Sequence, residues 1–258
     1  MRILLVCMFG MLACTRTPVY EPVTGTVSRS FNFENGTFAG MYTNEVPGPA
    51  AAVIQSAIAI GSNAAKITVK PEDIVANGNR SELAIYDCAP YGATVFYRFC
   101  FYIPAGDPDD FKWQIITQLY QLPDFERGET FDWFYQHPPV YMTYVPGYIE
   151  LKLTVGGEIT AARTPVTKGV WHTNVLEVKL SDDGRGYVEA RLDGIPYTPQ
   201  SGSTYRYSHA TLHNRAGAYW KLGLYRGHPV TDAGQAKSTN TIYLDDIRIG
   251  STLGEVYP

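Results

Sequence analysis

The stretch YWKLGLYR at positions 219–226 puts Trp220, Leu222 and Leu224 on one side and Tyr219, Lys221, Gly223 and Tyr225 on the other. A period of two with one apolar side is the mark of a half-buried β-strand. The period recurs along the chain. Ser81, Leu83 and Ile85 oppose Arg80, Glu82 and Ala84, and Val95, Tyr97, Phe99 and Phe101 oppose Phe96, Arg98, Cys100 and Tyr102. Trp113, Ile115, Thr117 and Leu119 oppose Gln114, Ile116, Gln118 and Tyr120, and Ile149, Leu151, Leu153 and Val155 oppose Tyr148, Glu150, Lys152 and Thr154. Later runs cover 175–180, 187–192 and 241–249, with Gly156-Gly157, Asp182-Asp183-Gly184 and Asp193-Gly194 as turn signals. The Ala-rich segment 50–65 follows Pro47, Gly48 and Pro49 and is interrupted by Gly61, so it reads as strand and loop. Many short strands and no long amphipathic helix predict an all-β sandwich or jelly roll of antiparallel strands. With no repeat and no internal linker, residues 30–258 read as one domain.

A chain of 258 residues, 45% hydrophobic and 18% charged, has enough apolar surface for a core without a disulfide scaffold. A net charge of -4 gives it no general attraction for nucleic acid. The 19 tyrosines suit strands and equally suit a sugar-binding surface. Residues 1–14, MRILLVCMFGMLAC, read as a secretion signal whose end resembles a bacterial lipobox. A lipid on Cys14 would then tether the chain to the outer membrane through residues 15–29, placing it in the cell envelope or outside the cell. The expected assembly is a monomer. Cys88 and Cys100 remain, and they read equally as a bridge or as two free thiols.

There is no G-x-S-x-G, Walker or H-E-x-x-H motif. Glu129-Thr130-Phe131-Asp132 is the nearest carboxylate pair for a glycoside hydrolase, and it reads better as a solvated loop.

Three segments carry polar residues opposite apolar ones: Arg80-Ser81-Glu82-Leu83, Gln114 through Tyr120, and YWKLGLYR. Together they resemble the signature strands of jelly-roll polysaccharide lyases. RSEL, Gln118-Leu119-Tyr120 and YWKLGLYR look like the trio of the family 7 alginate lyases. His137-Pro138-Pro139, Trp171 before VLEVKL and TIYLDDIRIG at 241–250 look closer to the heparin lyase I-like group and the family 20 glucuronan lyases. The resemblance spans roughly residues 30–250. It implies a concave groove and endo-acting cleavage of an acidic, uronate-containing polysaccharide by β-elimination. The alternative on the same fold is a non-catalytic glycan-binding protein. One residue departs from the pattern: Tyr120 stands where the family has His.

Elimination removes the C5 proton and expels the C4 oxygen, and the ionised carboxylate on C5 resists this until its charge is offset. By resemblance, Arg80 and Gln118 offset it. A tyrosine whose phenolate is favoured by a nearby cation such as Lys221 then acts as base and returns the proton to the leaving oxygen. Facing alone does not choose between Tyr219 and Tyr225. The resemblance selects Tyr225 and leaves Tyr219 as a sugar contact. Substrate contacts are expected at Glu82, Tyr120, Gln114, Arg226 and His213, with His209 near the groove edge. Trp133, Tyr135, Tyr141 and Tyr205 are further stacking candidates. One residue acting as both base and acid suits glucuronate or mannuronate, in which the C5 proton and C4 oxygen lie on the same side. The resemblance implies no cofactor for the chemistry. It does imply a structural calcium on Glu34 and Asp245, while Asp107, Asp109 and Asp110 form a second acidic loop.

Overall fold

The computed structural model describes residues 28–257 except 77, 131–136, 203 and 228–235. The signal segment, most of the tether, and Trp133, Tyr135 and Asp132 lie outside the described residues.

The chain forms β1 (Arg29–Phe31), β2 (Tyr42–Glu45), β3 (Ala52–Gln55), β4 (Ala64–Val69), β5 (Ile74–Val75), β6 (Gly78–Ala89), β7 (Thr94–Tyr102), β8 (Gln114–Tyr120) and β9 (Val140–Val145). It continues through β10 (Tyr148–Leu153), β11 (Ile159–Pro165), β12 (Trp171–Lys179), β13 (Tyr187–Leu192), β14 (Ile195–Pro196), β15 (Thr198–Pro199), β16 (Tyr207–Ser208), β17 (Ala218–Arg226) and β18 (Asn240–Gly250). Among the described residues, helix is confined to one 3₁₀ turn at Phe125–Arg127 and one α turn at Leu253–Val256, and none is long and apolar enough to cross a membrane. Segment 50–65 is strand and loop, as its sequence reads.

Two antiparallel sheets face each other. The outer sheet runs β14-β13-β12-β7-β18-β4-β3, and the groove sheet runs β15-β11-β10-β9-β8-β17-β6-β2. Their inner faces meet in a core to which Trp220, Leu222 and Leu224 of β17 contribute, with Leu83 and Ile85 of β6 beside them. Trp220 packs edge-on against Tyr97 of the opposite sheet, with ring centroids 5.0 Å apart, and its Nε1 donates to Thr117 Oγ1 at 2.6 Å. Burying such a side chain stabilises the fold by roughly 1.5–3 kcal/mol, and the hydrogen bond removes the cost of an unpaired indole N–H. The alternation of YWKLGLYR therefore holds, with its polar side turned away from the core.

One reading changes, and one left open is narrowed. The first concerns β8, where pairing with β9 shifts register between Ile115 and Thr117. A bulge there reverses which face each side chain takes. Ile116 joins the core, Trp113 and Ile115 line the groove, and Gln114 turns inward with its Oε1 lacking a hydrogen-bond partner. Gln114 is thus not a groove residue. The second concerns the cysteines. Cys100 is a buried free thiol whose Sγ lies 3.3 Å from Thr173 Oγ1, beside β12 in the outer sheet, whereas Cys88 belongs to β6 of the groove sheet. Cys100 takes part in no bridge.

Gly223 packs against the backbone of β6. Its φ is 145°, and a Cβ there would lie 2.3 Å from the Ser81 carbonyl oxygen and 2.9 Å from Glu82 Cα. The glycine exists so that β17 and β6 can approach. Gly223→Ala is expected to cost about 3 kcal/mol through backbone strain and overpacking, read as a lower urea midpoint. An unchanged midpoint would show that the two strands separate locally without cost.

Candidate functional site

Register sets the site. Across the groove sheet, Tyr225 pairs with Arg80 on one side and Ile115 on the other, and Ile115 with Thr143. One step along, Lys221 pairs with Ala84 and Gln118, Gln118 with Tyr141, and Tyr141 with Lys152. Tyr219 pairs with Tyr120. These rows form the floor of a groove of about 580 Å³. It is lined by Arg80, Gln118, Tyr120, Tyr219, Lys221 and Tyr225 from the expected set, and by Glu45, Trp113 and Ile115, which the sequence did not single out.

The centre is a buried charge cluster. Arg80 NH1 donates to Glu45 Oε2 at 2.8 Å and lies 3.3 Å from Glu82 Oε2. Lys221 Nζ donates to Glu45 Oε1 at 2.6 Å. Gln118 Nε2 donates to Glu82 Oε1. Glu82 is 1% exposed and lies beneath the floor, where it orients Arg80 and Gln118 instead of meeting substrate. Burial pushes its carboxyl above the usual range, against the pull of Lys221 and Arg80. Glu45 moves the other way: burial opposes ionisation, but Lys221 and Arg80 outweigh it and hold the carboxyl below its ordinary value. Arg80 Nε is buried with no hydrogen-bond partner among the described residues.

The two tyrosines differ in surroundings. The Arg80 guanidinium carbon stacks 3.9 Å from the Tyr225 ring centroid, and Trp113 meets that ring edge-on at 5.6 Å. A Cβ on Gly78 would fall 2.5 Å from Tyr225 Cε2 and 2.8 Å from Arg80 NH2, so this glycine makes the room for the stack. Tyr219 lies between Tyr86 at 4.7 Å and Tyr120 at 5.5 Å, and burial drives its hydroxyl far above the ordinary tyrosine value. Burial likewise pushes Tyr120 up to about 12. Lys221 Nζ lies 4.4 Å from the Tyr120 ring centroid and 5.5 Å from that of Tyr219.

Arg226 sits elsewhere. It is fully buried, with Nε donating to Asn79 Oδ1 at 2.7 Å and NH1 to the Ser238 carbonyl at 2.9 Å, and burial pulls it down to about 10. It follows Tyr225 on the opposite face of the strand and ties β17 to the chain before β18. His213 lines a smaller recess of about 330 Å³ beyond His137 and Glu158, where its Nε2 lies 3.1 Å from the His137 carbonyl oxygen and burial lowers its pKa. His209 bonds the Ala210 carbonyl and Tyr205 is an exposed loop residue; neither lines the groove. Tyr141 does line it, with its hydroxyl on Glu158 at 2.6 Å. Glu129 accepts from the Asp124 backbone N–H and from Asn214, both at 2.7 Å, so it fastens a loop.

Glu34 and Asp245 come from opposite ends of the chain to one loop. Glu34 Oε1 accepts from Ser62 N at 2.8 Å and Asn63 N at 3.1 Å, and Asp245 Oδ2 from Ile60 N at 3.0 Å. Burial, with Asp246 and Glu34 as like charges nearby, holds the Asp245 carboxyl above the usual range. Both carboxylates accept N–H groups of that loop, and carboxylate oxygens are the donor type a hard cation takes. No group of three His, Cys, Asp or Glu suited to a metal occurs among the described residues, so the remaining ligands would be loop oxygens. Asp107, Asp109 and Asp110 are engaged in anchoring Asn240 and Thr241, Tyr144 and Lys168, and Lys237.

A family profile described as polysaccharide lyase matches residues 33–248. The chain belongs to this polysaccharide lyase family. The enzyme's fold is shared with an endo-β-1,4-glucuronan lyase from the fungus Trichoderma reesei, at 18% identity and a TM-score of 0.69, covering 88% of this chain and 97% of that one. Alginate lyase Aly36B in complex with an alginate trisaccharide is similar at 12% identity and a TM-score of 0.60, over 87% and 98% of the two chains. A family 7 alginate lyase in complex with product is similar at 12% identity and a TM-score of 0.56, over 80% and 85%. No curated protein sequence matches the chain.

Proposed function

We propose that this lyase cleaves a glucuronan- or alginate-like uronate polymer within the chain by β-elimination, with Tyr225 as base and acid. The observation that carries the reading is the stack of Arg80 on Tyr225 at the floor of the groove. A fixed guanidinium on the ring face favours the phenolate. The same guanidinium, with Gln118 and Lys221 alongside, offsets charge that builds on the substrate carboxylate as the C5 proton leaves. The phenolate takes that proton, the C4 oxygen departs, and the phenol returns a proton to it. A double bond forms between C4 and C5. Tyr120 and Tyr219 are unsuited to this step because burial disfavours their charged forms. With Tyr120 standing where the family has His, the mechanism favours glucuronate or mannuronate over guluronate. The test is incubation of the purified enzyme with glucuronan and with alginate blocks, following ultraviolet absorbance of the unsaturated product. Absorbance on guluronate blocks alone would overturn the stereochemical assignment, and intact polymer throughout would overturn the lyase chemistry.

A structural calcium belongs to this reading, held by Glu34, Asp245 and oxygens of the loop between residues 58 and 63. Chelation with EDTA is expected to lower Tm by several degrees, with calcium restoring it. An unchanged melt would remove the ion.

A further inference from the structure

We propose that Glu45 is a positioning residue of the lyase reaction, whose carboxylate bridges Arg80 and Lys221 and so fixes the charge and geometry that Tyr225 meets. The proposal rests on the reading of Tyr225 as base.

Glu45 ends β2, an edge strand whose Tyr42, Thr43 and Asn44 are all exposed, yet it is itself buried at the groove wall. Its two oxygens accept from two cations on two different strands, at 2.6 Å from Lys221 and 2.8 Å from Arg80. Arg80 in turn stacks on Tyr225, so Glu45 is one contact removed from the base. A carboxylate gripping both cations stops them from turning to other acceptors, and this is how a charged site is preorganised. The charge count also depends on it. Arg80 and Lys221 face Glu45 and Glu82, and the two cations hold the Glu45 carboxyl below its ordinary value against the effect of burial. Among the described residues, the other titratable groups around it include Tyr219 and Tyr225 on β17 and Tyr120 on β8. Lys152 and Glu158 lie farther along the groove.

The test compares the wild-type chain, Glu45→Gln and Glu45→Asp, with rates measured against pH on the uronate polymer that the wild type cleaves best. The reaction needs the phenolate, so the rate rises with pH through the pKa of the base. Removing one negative charge beside Arg80 favours the phenolate, so in Glu45→Gln this rising limb moves to lower pH, by about one unit. Loosening of Arg80 and Lys221 lowers kcat by about tenfold to a hundredfold, with a smaller change in KM. Glu45→Asp keeps the charge but is one methylene too short to reach both cations. Its limb stays at the wild-type pH while kcat remains low. Wild-type rate and limb in Glu45→Gln would overturn the proposal. So would a loss of rate with an unmoved limb and a lower Tm, which marks a purely structural residue. Failure of the underlying reading shows elsewhere, in a wild type without activity or in an active Tyr225→Phe.

Discussion

Tyr225→Phe is expected to lower kcat about a thousandfold on the preferred uronate polymer, with Tm close to wild type and polymer binding retained in affinity electrophoresis. The change removes one oxygen and leaves the ring between Arg80 and Trp113, so packing is conserved. What disappears is the group that takes the C5 proton and returns one to the leaving oxygen. Tyr219, Tyr120 and Tyr141 are the other phenols described on the floor, and burial pushes all three upward, which disfavours their phenolates. Tyr219→Phe should therefore keep kcat within about tenfold of wild type, because its ring contacts with Tyr86 and Tyr120 survive. The reverse pattern, an inert Tyr219→Phe and an active Tyr225→Phe, would move the base to Tyr219. The readout is the initial rate of ultraviolet absorbance from the unsaturated uronate.

What could be read from the sequence follows from how local each signal is. The alternation of YWKLGLYR separates Trp220 from Lys221 without reference to any other strand, and a regular strand cannot evade it. Arg80 and Gln118 are legible for the same reason. Gln114 is not, because the bulge at Ile116 reverses the side-chain phase and nothing in Gln-Ile-Ile-Thr marks where pairing will slip. Arg226 is a charged side chain at the end of a strand whose pattern sends it inward, where Asn79, Ser238 and Asn240 accept its N–H groups. Period two puts it on the core side, although it is among the expected substrate contacts, and the pattern is the better guide. Glu45 is the largest omission. Its four-residue strand shows no alternation, and it reaches the site only through edge pairing with β6, opposite Glu82. Gly78 carries a signal only once the Tyr225 ring is placed above it.

Lys221→Met is expected to destabilise the fold by about 3–5 kcal/mol at neutral pH, and that deficit should shrink as pH falls. Lys221 is buried, with its side chain only 3% exposed, and its ammonium is held by Glu45 at 2.6 Å. Met fills much the same space, so the loss is one of charge. Glu45 and Glu82 are then left with Arg80 as the one cation bonded to them in the cluster. In the wild type the folded-state pKa of Glu45 is depressed by Lys221 and Arg80 against the effect of burial. Such a group contributes stability that is present above its unfolded pKa and lost as pH falls through the folded pKa. Without Lys221, burial is opposed by Arg80 alone, so the carboxyl rises and takes up a proton more readily. Acid therefore removes stability from the wild type that the variant no longer has. Melts at pH 7 and pH 4 measure this directly: the gap in Tm between the two proteins should narrow at the lower pH. A gap of equal size at both values would mean that Lys221 acts through packing against Tyr120 and Tyr219, and that the ion pair with Glu45 adds nothing to the stability of the groove floor.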